Sequence, residues 1–433
     1  MINILLLFLI ITFLLLVTYL NIEWFFILYL GVLLLENLFL TPFFLDIFSI
    51  SIYSKDLFFL SQIIYIILFL VSSLFQKEFP KSKYFLWSLF FLLLILFKTI
   101  YSSLYFGTLS FLHSRHLLYF FGNILFFSLC YFDIDRIKNI FKIIFYFGCV
   151  YFLIAFLRYF GILPHLYSGS EVMSGYDITF NQFRTLNRQS LFFVVFAALF
   201  SLSNIMIYKN FLRKIYSLLF LLFSFLIFSS LTRSVIAVYI VGLICFLILN
   251  KIITLRFIVY SSVLFPLFIL VLIYFVPLGY IDAFSYDNLF GEKSTFVWRN
   301  VISLAYIDYM SFPDFFTGKM FGDIPIIFES QYFTTLSAGK AGVHNFFVEL
   351  IYLFGIFFSL FMIYCYLHVL FKLNNMKNRK NYLEINLIWT ILFMYFIFYY
   401  AWTPDILNAI IFGLAINIIY QDYNKKIIPE KIT

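Results

Sequence analysis

The sequence predicts an all-α fold, a polytopic bundle of membrane-spanning helices. Hydrophobic residues make up 64% of the 433-residue chain and charged residues only 12%. That leaves too little polar surface to cover a water-soluble protein of this length. Apolar runs of about 20 residues, the length a helix needs to cross a bilayer, recur along nearly the whole chain. A transmembrane barrel would instead show short alternating segments.

Taken in order, the runs place helices near 2–20, 24–42, 57–75, 84–106, 117–132, 143–161, 189–208, 215–232, 234–250, 257–277, 344–371, 385–402 and 405–420. Only Asn21-Ile22-Glu23 separates the first two. The bundle has thirteen spans if that break is real, and twelve if the region is one span and a re-entrant piece. The first run lacks a basic segment ahead of it and a small-residue cleavage site, so it reads as a retained helix. Cys130, Cys149, Cys245 and Cys365 lie inside apolar runs without metal-ligand spacing and read as packing residues.

Eighteen of the 29 Lys and Arg residues fall in alternate short loops and the C-terminal tail, which assigns those segments to the cytoplasm. The loops 107–116, 162–188 and 278–343 then face outward. The last is one large periplasmic loop within a single integral membrane domain, 1–433. Among the other eleven cations, six are arginines assigned to outer loops or outer helix halves: Arg115, Arg158, Arg184, Arg188, Arg233 and Arg299. Each alone reads equally as interfacial snorkelling. Six on one face point to a phosphate or pyrophosphate, which a guanidinium binds through two parallel hydrogen bonds.

Within the large loop, residues 294–310 have helical spacing, with Ser294 as N-cap and an apolar face of Val297, Val301, Ala305, Ile302, Tyr306 and Tyr309. Lying on the membrane, this helix would carry Arg299 near the headgroups. Pro313 is expected to stop it, and Gly318 and Gly322 to supply turns. The loop closes at His344-Asn345, where a further span opens. His344 reads either as a helix cap or as a neutral imidazole that accepts a proton. Glu349, deeper in that span, reads as a partner for an arginine or as a second candidate base. His113 and His116 are assigned to an outer loop, and Glu36 and Lys98 read as isolated intramembrane charges. Asp133-Ile134-Asp135 imitates a metal-binding Asp-x-Asp motif, but in a cytoplasmic loop of roughly ten residues it reads as a solvated helix start.

Thr232-Arg233-Ser234 at the end of a span, Arg299 followed by a helix and the Gly318/Gly322 turn, the closing His344-Asn345, and Phe183-Arg-Thr-Leu-Asn-Arg-Gln-Ser190 ahead of the next helix together resemble the O-antigen polymerase and O-antigen ligase family. These are bacterial membrane glycosyltransferases. The resemblance implies a GT-C-like bundle in the inner membrane with a periplasmic cavity. It implies an undecaprenyl-pyrophosphate-linked oligosaccharide as donor, the lipid bilayer and a chain-length regulator protein as partners, and no nucleic acid, cofactor or metal. It implies inverting transfer in which Arg233 and Arg299 stabilise the leaving pyrophosphate. Arg184, Arg188, Arg115, Arg158 and Asn345 would bind substrate, His344 would act as base, and Glu349 would orient His344 or the substrate. The expected function is a surface-polysaccharide polymerase. The alternatives are a ligase acting on lipid A core and, from another class, a flippase of lipid-linked oligosaccharides.

Overall fold

A computed structural model describes residues 2–39, 44–47, 50–76, 82–129, 134–160, 162–163, 186, 188–230, 233–251, 295–324, 345–376, 383–398 and 405–427. In chain order the described elements begin with helices α1 (Ile2–Leu20) and α2 (Ile22–Phe39), then an antiparallel hairpin β1 (Phe44–Ile47) and β2 (Ile50–Tyr53). There follow α3 (Ser54–Gln76), α4 (Lys83–Phe106), α5 (Thr108–Leu129), α6 (Ile134–Tyr159), α7 (Arg188–Ile207), α8 (Asn210–Ser229) and α9 (Arg233–Leu249). The remainder are α10 (Thr295–Asp308), α11 (Phe312–Thr317), α12 (Phe346–Asn374), α13 (Leu383–Phe398) and α14 (Ile406–Ile427). Six of them, α3, α4, α6, α7, α8 and α12, are long and apolar enough to cross a membrane, and α1, α2, α9, α13 and α14 carry shorter apolar segments. The chain is an all-α polytopic membrane bundle. Twelve of the thirteen expected spans are present as helices, and 257–277 lies outside the described residues.

The helices pack through aromatic side chains. Phe25 contacts Phe58 and Phe126 at 5.4 and 5.3 Å between ring centres, and Phe192 stacks on Tyr395 at 4.4 Å. Such close contact matters because lipid tails compete equally for apolar surface, so helix association in a bilayer depends on packing and on interhelical hydrogen bonds. Asn123, wholly buried, provides the latter by accepting from Gln62 at 3.0 Å and donating to Tyr29 at 3.1 Å. By contrast α8 exposes Leu218, Leu221 and Phe225, as expected of a helix with one flank in lipid.

The chain breaks at Asn21, whose side chain caps α2 by accepting the Glu23 N–H at 2.8 Å. Glu23 in turn reaches Asn139 near the start of α6, whereas α1 also touches β1 beyond the far end of α2. The first two helices are therefore separate, and α1 starts at the end of the bundle where the hairpin lies.

Three sequence expectations change. The segment 107–116 is helical: Gly107, at φ 56°, turns α4 directly into α5, which starts nine residues earlier than 117. Its polar residues do not break the helix because, as shown below, they have partners in the protein. Helix α10 ends at Asp308, ahead of Pro313, which sits in the first turn of α11, where a missing N–H costs nothing. Of its expected apolar face, Ile302 and Tyr306 are enclosed, Ala305 is half-buried and Tyr309 is exposed. Tyr306 packs on Tyr352 of α12 at 4.7 Å. Gly318 (φ 73°) and Gly322 (φ 90°) do form the expected turns.

Candidate functional site

The segment 310–324 is fastened to α4, α5 and α12 through its own backbone groups. The Lys319 N–H donates to the Tyr352 carbonyl at 2.7 Å, and the Tyr352 hydroxyl donates to the Asp323 carbonyl at 2.6 Å. Ser102 of α4 accepts the Phe321 N–H at 3.0 Å, and Ser110 of α5 donates to the Phe321 carbonyl at 2.9 Å. This face of the bundle is called the loop end below. Opposite it, His368 near the end of α12 lies 3.0 Å from the Tyr84 hydroxyl and 3.3 Å from Lys83, so α4 and α12 run antiparallel between the two ends.

The docking requires a break in α12. Gly355 (φ 74°, ψ 172°) is non-helical, and it meets the backbone of Phe316 and Thr317 while Gly318 meets that of Leu353 and Phe354. A Cβ on either glycine would collide with the facing carbonyl. Lys98 of α4 closes the joint. Its ammonium donates to the Leu353 carbonyl, reaches the Thr317 carbonyl at 3.4 Å and lies over the Phe354 ring at 5.5 Å. Lys98 is thus not the isolated charge expected from sequence. Lys98→Met should lower stability by about 1–3 kcal/mol, because the Leu353 carbonyl freed by the break loses its donor. Thermal unfolding of the detergent-purified protein checks this, and an unchanged midpoint would show that the ammonium contributes nothing.

Around the turn, Asp314 and Lys319 pair at 2.9 Å, with Asp323 3.8 Å from the same ammonium. Burial disfavours the charged form of Asp314, but hydrogen bonds from Ser311 and Lys319 hold its carboxyl below the usual range. Burial likewise disfavours charge on Lys319, and Asp314 and Asp323 raise its pKa in spite of it.

At the docked turn α5 meets the start of α12, with Phe120 against Phe346. The Gly322 N–H donates to His113 Nδ1 at 3.0 Å. One turn on, His116 Nε2 stands 2.8 Å from Glu349 Oε1. Glu349 lies in the first turn of α12 and is 4% exposed, whereas the His116 side chain is 31% exposed. The other carboxylate oxygen, Oε2, is enclosed and has no hydrogen-bond partner among the described residues. Asn345 caps α12, accepting the Phe347 and Val348 N–H groups at 3.1 and 3.3 Å. The capping role considered for His344 therefore belongs to Asn345.

Next to His116, Arg115 pairs with Asp56 of α3 at 3.3 Å, and its guanidinium lies over the Tyr53 ring at 4.6 Å. Asp56 also accepts from the Tyr119 hydroxyl and, at 2.8 Å, from the Tyr53 N–H. Below this polar layer a narrow apolar cleft, with about 50 Å³ of room for the centres of water-sized spheres, runs between α4, α5, α12, α13 and α14. Phe120, Phe346 and Leu350 line its upper part, each next to or one turn from His116, Asn345 or Glu349, and Trp87 lies toward its other end.

Of the expected site residues, the structure brings together Arg115, Asn345 and Glu349. Arg158 is apart from them, 3% exposed in the last turn of α6, which packs mainly on α2 and α7. Arg188, Arg233 and Arg299 begin α7, begin α9 and lie within α10, with side chains outside the described set. Arg184 and His344 lie outside the described residues. Sequence reasoning missed His113, His116, Asp56 and Lys98. The i, i+3 spacing of the two histidines would have put them on one helix face had α5 been started at Thr108. Asp135, of the false metal motif, is solvent-exposed and paired with Lys138, in keeping with a solvated helix start. Compared with protein-family models, with curated proteins and with solved structures, the chain finds no match, so the reading of this site rests on its own geometry.

Proposed function

We propose that the chain is a membrane glycosyltransferase, a surface-polysaccharide polymerase that joins repeat units carried on a polyprenyl pyrophosphate at the periplasmic face of the bacterial inner membrane. The observation that carries this reading is the layering at the loop end. An enclosed carboxylate facing a histidine, with a paired arginine beside it, lies over a narrow cleft lined by aromatic side chains. A donor with a hydrocarbon carrier and a sugar pyrophosphate head has the same layered chemistry. Transfer puts negative charge on the departing pyrophosphate, and arginines can stabilise it. Arg233 and Arg299 are assigned that part.

A flippase is the second reading, favoured by one feature: transporters often place substrate at broken helices, and α12 is broken at Gly355. Here, however, Lys98 and the α11 backbone occupy the break, which makes it a docking joint.

The test is to reconstitute the purified protein with an undecaprenyl-pyrophosphate-linked repeat unit and look for a ladder of products, with and without a chelator. A ladder that survives the chelator is expected. Arg233→Lys and Arg299→Lys should each lower the rate about a hundredfold, because lysine keeps the charge but loses the forked pair of donors. Wild-type rates in both would reduce these arginines to interfacial anchors. Absence of any ladder would sink the polymerase, and transfer only to lipid A core would replace it with a ligase.

A further inference from the structure

Among the described residues where α5 meets the first turn of α12, three groups could receive a proton, and their contacts separate them. His113 accepts the Gly322 N–H on Nδ1, so its own proton sits on Nε2 and no ring lone pair is left. His116 sets Nε2 2.8 Å from Glu349 Oε1 and also hydrogen-bonds the His113 backbone, so both of its ring nitrogens are engaged. Glu349 Oε2 remains, enclosed and without a hydrogen-bond partner among the described residues. The neighbouring charged groups are His113 and His116 on α5, Arg115 paired with Asp56, and Asp323 on the docked turn.

We propose that Glu349 takes the proton of the attacking sugar hydroxyl through Oε2, with His116 as the residue that positions its carboxylate. The assignment rests on the glycosyl-transfer reading. It moves the base from His344 to a side chain whose partner is supplied by α5. As the acceptor oxygen bonds to the anomeric carbon of the donor, its proton passes to Oε2. The bond from that carbon to the pyrophosphate oxygen breaks, and the electron pair leaves with the lipid pyrophosphate. The protonated carboxyl then returns its proton to water.

The test compares two nucleophiles, because azide attacks the anomeric carbon without a proton to lose. Wild type, Glu349→Gln, Glu349→Ala, His116→Gln and His344→Ala are reconstituted at matched amounts with the lipid-linked donor, then given either a sugar acceptor or azide. Chain extension by both Glu349 variants should fall by about 10²- to 10⁴-fold, the usual worth of a general base. Their formation of glycosyl azide should persist. His116→Gln should lose less extension and also keep the azide reaction, which a loss of folding would not spare. Extension by Glu349→Gln at the wild-type rate would overturn the assignment, as would parallel loss of both reactions in the Glu349 variants. Loss of extension alone in His344→Ala, with Glu349→Gln active, would return the base to His344. Wild type that makes neither product would instead overturn the glycosyl-transfer reading, and this assignment with it.

Discussion

Alanine at Gly355 is expected to release residues 310–324 from the bundle. Gly355 and Gly318 both occupy a backbone region open almost only to glycine (φ 74°, ψ 172° and φ 73°, ψ 162°). Strain alone costs about 1–3 kcal/mol per substituted residue. The collision adds to it, since a Cβ at Gly355 enters the Phe316 carbonyl and the two backbones must separate. Separation also removes the Lys319–Tyr352 hydrogen bond and the Lys98 contact to Thr317. The expected result is a lower unfolding midpoint and new protease cleavage within 310–324. Gly318→Ala should act alike. The double variant should be less damaging than the sum of the two, because the second substitution acts on a joint already open. A protease pattern identical to wild type in Gly355→Ala would show that the joint does not hold the loop.

The other large effect is expected at Asp56. Its carboxylate faces the Arg115 guanidinium, the Tyr119 hydroxyl and the Tyr53 N–H, with the Asp56 and Arg115 side chains 10% and 12% exposed. Removing one member of such a pair leaves the other charge enclosed, at a cost of about 3–5 kcal/mol. Asp56→Asn should therefore lower stability sharply. Asp56→Asn combined with Arg115→Met should recover much of the loss, because no enclosed charge is then left without its counterpart. Thermal unfolding of the three variants measures this. A single Asp56→Asn variant as stable as wild type would mean that water or lipid headgroups satisfy Arg115 equally well. Since Arg115 precedes His116, loosening this pair should also disturb the His116–Glu349 contact.

The membrane bundle, the places of twelve helices and the turns at Gly318 and Gly322 were determined by the sequence alone. Each is a local property: bilayer thickness sets the length of an apolar run, and a turn with positive φ asks for glycine. The Asn21 break was visible in the sequence, but only the contacts of Glu23 and β1 made it two helices. The pairing of His116 with Glu349, of Arg115 with Asp56 and of Lys98 with the Gly355 break was decided by tertiary structure. Helix α12 is apolar nearly all round, so its sequence has no polar stripe to show which way Glu349 points. That direction follows from the meeting of α5, α12 and the docked turn, segments far apart in the chain whose contact depends on the shape of the assembled bundle.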